Sequence, residues 1–195
     1  ENPRRGEDDE EPPPSGGCLG NAALDSAVPP SLGLIGLLWM VSFLNSADRA
    51  ILNSVKPLLR DAFQITDIQL GVVDTVFFWT YAVCAFLFGR IGDSVRRRNM
   101  VLFGLLFWSM ATGFMPIATG FAMLLGMRTL VAVGESTYYP TATALISSWH
   151  KPSMRSRALS IHQTAVFAGG GIGGWVAGKL ADSYGWSAPF IIFAA

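Results

Sequence analysis

Charge is scarce in this sequence. Only 14% of its 195 residues are Asp, Glu, Lys or Arg, where soluble domains carry about 25%. Acidic and basic residues cancel, with a formal net charge of zero, so nothing draws the chain to nucleic acid. There are two cysteines. Cys18 lies in a polar stretch and Cys84 in an apolar one, a poor arrangement for a bridge, and they do not reveal the redox compartment. Two histidines, His150 and His162, offer no metal-ligand spacing and little support for Ser-His-Asp chemistry. No glycine-rich loop ends in Gly-Lys-Ser/Thr. No metal, cofactor or enzymatic activity is therefore expected.

Apolar residues are what the chain has, at 51%. They fall in long runs, and the charges gather between them. Residues 75–89 carry no charge, and neither do residues 99–127. Between these runs lies Gly89-Arg90-Ile91-Gly92-Asp93-Ser94-Val95-Arg96-Arg97-Arg98. A helix crossing hydrocarbon needs about 20 apolar residues. A short, arginine-rich turn joining two such runs is a cytoplasmic loop.

Residues 1–30 read as a disordered cytoplasmic tail. Five acidic residues, Glu7 to Glu11, precede three prolines, a composition that cannot bury enough surface to fold. Residues 31–195 read as an all-α membrane domain with spans at about 31–58, 70–91, 99–117, 121–147 and 158–181. A sixth span opens at Trp186 and is cut by the end of the sequence, which points to a fragment. Pro116 to Gly120 supplies the turn that divides the run 99–127. Connectors with Arg96, Arg97, Arg98, Lys151, Arg155 and Arg157 face the cytoplasm, and so does the N-terminus. The chain is then a multi-pass integral membrane protein whose particular membrane the sequence does not name.

Polar residues inside spans are costly, at least about 2.5 kcal/mol for a charge at bilayer centre. In the first span Ser42, Asn45, Arg49, Asn53 and Lys56 recur at helical spacing on one face, with Asp48 at its edge. Asp48 and Arg49 fit either a solvated outer loop or a wet cavity within the bundle. The apolar pattern continues through Ala50, Ile51, Leu52 and Val55, which favours the second. In the fourth span Arg128 and Glu135 lie two turns apart on one face, which Tyr138 and Tyr139 extend. A buried carboxylate facing an arginine can be poised between protonation states, or can be a static pair that fixes helix register. Asp74 reads as lying near the outer surface.

The fifth span holds two overlaid rows of small residues: Gly169, Gly173, Ala177, and Gly170, Gly174, Gly178. Small residues at every fourth position let helices approach closely. Gly170, Gly174 and Gly178 are the expected packing row, and ligand contact is the weaker reading. His162 and Gln163 stand at the inner end of this span.

These segments resemble the Major Facilitator Superfamily. Gly89, Asp93, Arg97 and Arg98 match its loop signature G-x-x-x-D-R-x-G-R-K/R, with Ser94 and Arg96 departing from it. Gly92 fits the spinster-like version, G-x-L-G-D-R-x-x-R-K. Asp48-Arg49 resembles the first-helix pair of spinster-like and bacterial carriers. Arg128 to Glu135 is similar to R-x-L-x-G-x-G-E, with Ala132 at one glycine. Pro140 falls where organic-anion carriers often have proline. Arg155-Ser156-Arg157-Ala158 resembles the basic start of the fifth helix.

The resemblance implies a twelve-helix transporter in two six-helix halves, with this chain the N-terminal half, truncated in its sixth helix. It implies a small-molecule or lipid substrate, contact with the bilayer, and the missing C-terminal half as partner. Asp48, Arg49, Arg128 and Glu135 would line the substrate and proton pathway. Asp93 and Arg97 would latch the cytoplasmic side. Spinster-like relatives suggest lysolipids or sphingoid lipids; Arg49, Arg128 and the Pro140 region suggest organic anions or sugar derivatives. A non-transporting scaffold, receptor or truncated pseudotransporter is the alternative.

Overall fold

The computed structural model describes residues 32–92 and 95–194. The expected tail and two residues of the arginine-rich turn, Asp93 and Ser94, lie outside the described residues. All regular structure among the described residues is helical. The first helix, α1, runs Leu32–Phe63. It outlasts the expected boundary at residue 58 because Pro57 sits within it without ending it. Gln64, with φ of 52°, turns the chain, and Thr66 then caps α2 (Asp67–Ile91) in a reciprocal bond with Gln69. Such a box satisfies two amide donors that a helix start otherwise leaves orphaned.

Gly92 closes α2 by donating its N–H to the Phe88 carbonyl, 2.8 Å. The next helix, α3, runs Arg97–Phe114. Arg97 and Arg98, expected in a loop, thus form its first turn. A single tight turn at Met115–Ile117 leads to α4 (Phe121–Ser136), as the proline and glycine between the two runs foretold.

The fourth span departs from expectation. Instead of one helix over residues 121–147, α4 breaks at Thr137 and α5 follows at Tyr138–Trp149. Pro140 lacks the N–H that would have met the Ser136 carbonyl. Three hydroxyls compete for neighbouring backbone: Ser136 donates to Val133, Thr137 to Gly134 and Thr141 to Thr137. The fifth span also differs. It begins at Pro152, so Arg155 and Arg157 lie on the helix α6 (Pro152–Ala168) and not in the connector. A π-helical segment, Gly169–Gly173, then joins it to α7 (Gly174–Tyr184). The last helix, α8, runs Ala188–Ala194. Three helices, Gly33–Phe63, Asp67–Ile91 and Arg97–Ile117, are singly long and apolar enough to cross a membrane. Spans four and five fall short as single helices because each is interrupted.

α1 is the centre of the packing. The fifth span lies along it, and α2 and α3 both pack on α4. Two apolar clusters occupy opposite ends of the bundle. One gathers Ile51, Val55, Leu59, Leu70, Leu124 and Phe190; the other gathers Leu38, Val41, Trp108, Tyr138 and Ile146. α1 belongs to both, and its polar residues from Ser42 to Arg49 fall between them.

The packing row on the fifth span is the other one. A Cβ on Gly169 would strike the Phe43 carbonyl, and one on Gly173 would overlap Ala47. Gly170 and Gly178 meet nothing within 4 Å among the described residues, and a Cβ on Gly174 would only touch Ala50 and Ser54. The two rows differ by one residue, about 100° around the helix, and only the packed helix shows which row faces inward. Ser54 seals this seam by donating to the Gly174 carbonyl, 2.8 Å. α3 and α4 approach as closely. A Cβ on Gly104 would collide with Thr137, and one on Gly134 would come within 2.8 Å of the Trp108 backbone nitrogen.

Candidate functional site

Between the two apolar clusters lie four charged side chains from two helices. α1 supplies Asp48 and Arg49; α4 supplies Arg128 and Glu135. Gly134 has a direct part in their placement. With no side chain it lets α4 settle against the Trp108 backbone, which fixes the position of the adjacent Glu135.

The Arg49 Nε donates to Glu135 Oε2 at 2.6 Å. Glu135 is wholly buried, while Arg49 keeps 30% of its side chain exposed. The guanidinium also lies over Tyr81, its Cζ 4.4 Å from the ring centroid. Asp48 is buried. Its Oδ2 accepts from the Thr112 hydroxyl at 2.8 Å. Arg128 is buried too, yet its Nε and Nη1 have no hydrogen-bond partner among the described residues. Its guanidinium rests on the Phe77 ring at 4.5 Å. Asp48 Oδ1 and Glu135 Oε1 are likewise unpartnered.

Buried polar atoms are nearly always hydrogen-bonded, and each exception needs a reason. Of these groups Arg128 lines a small cavity of about 60 Å³, together with Arg49, Asn53, Asp74, Phe77 and Phe78. Two guanidiniums, an amide, two phenyl rings and one carboxylate, which Lys56 already neutralises, suit an anionic or polar solute with an apolar face.

Sequence reasoning undervalued Asp74. It lines that cavity and also bonds Lys56 across the α1–α2 cleft, Nζ to Oδ2 at 2.5 Å. The available signal was its spacing of three and seven from Phe77 and Tyr81, which puts all three on one face of α2. Thr112 gave no comparable signal. The two tyrosines part company at the helix break. Tyr138 is buried, donates to the Leu38 carbonyl at 2.5 Å and meets His162 Nε2 at 3.0 Å. Tyr139 is exposed.

The loop residues lie beside the cluster that holds Tyr138 and Ile146. Arg97 Nη1 donates to the Ala144 carbonyl on α5 at 3.2 Å. Gly89, Gly92 and Arg97 line a shallow recess with Pro140, Thr141 and Ala144. Arg98 is exposed. Among the described residues no His, Cys, Asp and Glu group could hold a metal.

Comparison with known proteins places this arrangement. Residues 38–195 match the Major Facilitator Superfamily model. Human "Protein spinster homolog 1" is 36% identical over 155 residues, covering 78% of this chain and 29% of that protein. A "Hexuronate transporter" of Bacillus subtilis is 26% identical, covering 83% of this chain and 38% of that one. The chain thus spans about a third of the curated relatives it matches. Among solved structures, a bacterial homologue of the human lysosomal transporter spinster, inward-facing and occupied, superposes with a TM-score of 0.77 and 25% identity. That superposition covers 84% of this chain and 41% of the other. The six spans fit the N-terminal half of this fold, and the chain is a multi-pass membrane protein that belongs to the Major Facilitator Superfamily.

Proposed function

We propose that this chain is the N-terminal half of a secondary active transporter that moves a small solute by alternating access, coupled to protons. The observation that carries this reading is the neutral quartet Asp48, Arg49, Arg128 and Glu135. Three of its members are buried between two apolar clusters, and Arg128, with unpartnered N–H groups, lines a cavity with Arg49. Intramembrane ionisable groups mark ion and substrate routes, and facilitator folds bind substrate near the midplane between halves.

Each side chain takes a role. Glu135 is the proton carrier, because its one partner, Arg49, can be released when the carboxylate is neutralised. Asp48, bonded to Thr112, adds the second buried carboxylate. Arg128, held flat by Phe77 with free N–H groups, grips the solute. Asp93 and Arg97 latch the cytoplasmic side, where the N-terminus also lies. A carboxylate-bearing sugar derivative fits two guanidiniums beside rings, and the hexuronate transporter among the relatives supports that class over a lysolipid.

The test is solute-driven proton movement in liposomes that contain the full-length protein and a pH-sensitive dye. Glucuronate should acidify or alkalinise the lumen in step with its uptake. Glu135→Gln should insert and express normally yet lose all dependence on the pH gradient. Unchanged coupling in this variant overturns the assignment. Coupled uptake of lysolipid and not glucuronate overturns the solute class alone.

A further inference from the structure

The two ends of the bundle settle their charges differently. At the α1–α2 turn cations and carboxylates are paired, Lys56 with Asp74, and Arg60 with Asp61 and Asp67. At the other end stand Arg90 on the last turn of α2, Arg96 and Arg98 at the start of α3, Lys151 just before α6, and Arg155 and Arg157 on α6. All of these are exposed. None forms an ion pair among the described residues. The described carboxylates lie elsewhere: Asp48 and Glu135 in the quartet, Asp61, Asp67 and Asp74 around the α1–α2 turn, and Asp182 on the last turns of α7.

Arg97 draws the unpaired cations together. Its bond to the Ala144 carbonyl ties the start of α3 to α5, which ends at Trp149, two residues before Lys151. The cations thus form one crown over the ends of neighbouring helices. Packed helices lie about 8–10 Å apart, so a crown over three of them is about 30 Å across. Like charges so close repel one another, and an anionic partner relieves that repulsion.

The chain carries such a partner. α1 begins at Leu32, at the crown's end of the bundle, because Ile35 shares a cluster with Ile146 and Ala158. Ahead of it, Glu7-Asp8-Asp9-Glu10-Glu11 sets five acidic residues in succession, and residues 12–31 connect them to α1. A connector of that length reaches up to about 70 Å, more than the width of the crown.

We propose that the acidic run Glu7–Glu11 docks on the crown formed by Arg90, Arg96, Arg98, Lys151, Arg155 and Arg157. Its tether presents it at an effective concentration in the millimolar range, which gives it an advantage over free anions. The contact is electrostatic and weakens as salt rises. It rests on charge and position and stands apart from the transport reading.

The test is zero-length coupling by a water-soluble carbodiimide, in the full-length protein reconstituted in phosphatidylcholine bilayers. The reagent joins a carboxylate to a lysine amine when the two touch, and Lys151 is the lysine of the crown. Peptide mass mapping should find Lys151 joined to Glu7–Glu11, and Lys179, at the other end, not joined to them. Raising the salt from about 0.05 to about 0.5 M should cut the yield about fivefold, because the screening length falls to about 4 Å. Arg96→Glu with Arg98→Glu leaves Lys151 in place and should cut it by a similar factor. If that variant fails to fold, the salt series on the parent decides. Absence of the Lys151 product overturns the proposal. So does a yield indifferent to salt, which reports chance collision of a tethered chain. Lys151 joined instead to a carboxylate in another part of the protein also overturns it. A product that disappears when about a fifth of the lipid is phosphatidylglycerol assigns the crown to lipid headgroups and overturns it as well.

Discussion

The two sides of α1 solve opposite problems. One side carries Phe43, Ser46, Ala47, Ala50 and Ser54 and meets the glycines of the fifth span, backbone against backbone. The other carries Asp48, Arg49, Asn53 and Lys56 and meets carboxylates, guanidiniums and rings. The first has no room and no charge; the second has cavities and unpartnered atoms. Lipid tails supply no hydrophobic drive for helices to associate, so close packing must hold the bundle together. The small-residue seam does this, and it leaves the opposite side of the same helix free to hold groups that are expensive to bury.

Substitutions can test that division, and the largest effects belong to the packed seam. Gly173→Leu puts a side chain where Ala47 already sits; the expected outcome is loss of monodisperse protein on size exclusion. Gly170→Leu, one row away, should behave as the parent. Equal tolerance at both positions would erase the distinction between the two sides. Next comes Glu135→Ala, which strands Arg49 and should cost about 3–5 kcal/mol, the range for a buried pair broken from one end. Thermal unfolding in detergent measures it, and Arg49→Ala with Glu135→Ala should recover part of the loss. Gly104→Ala forces Thr137 aside and should cost about 1–3 kcal/mol by the same assay. The smallest effects make the sharpest comparison. Ser54→Ala and Thr112→Val each remove one interhelical bond, worth about 0.6 kcal/mol in membranes. Both should lower the melting temperature slightly. Only Thr112→Val, which bares Asp48, should also displace the pH profile of uptake.

Much of the architecture was legible because charge avoids hydrocarbon. The charged connectors outlined most of the spans, and proline with glycine divided the longest run. The residues of the quartet were visible for the same reason, since Asp48, Arg49, Arg128 and Glu135 stand in stretches where charge is rare. What failed depends on rotation and on competition for backbone bonds. Gly170 and Gly169 are equally small, and the π-helical segment adds a residue to the turn there, so no simple period selects the buried row. The break after Ser136 follows from Pro140 together with hydroxyls that can satisfy the helix from within. Asp74 read as peripheral because its partner, Lys56, lies on another helix, and pairing across helices is not a property of either sequence segment.

Two carboxylates and two guanidiniums leave the quartet without net charge when all are ionised. One added proton makes it positive. On the proposed mechanism a monoanion carried with that proton crosses the bilayer with no electrical work. A neutral cargo carried with the same proton moves one elementary charge, worth about 2.3 kcal/mol for every 100 mV of membrane potential. With a neutral quartet, the summed charge of cargo and proton sets whether this carrier feels voltage, and a clamped potential reads the charge of its cargo before the cargo is known.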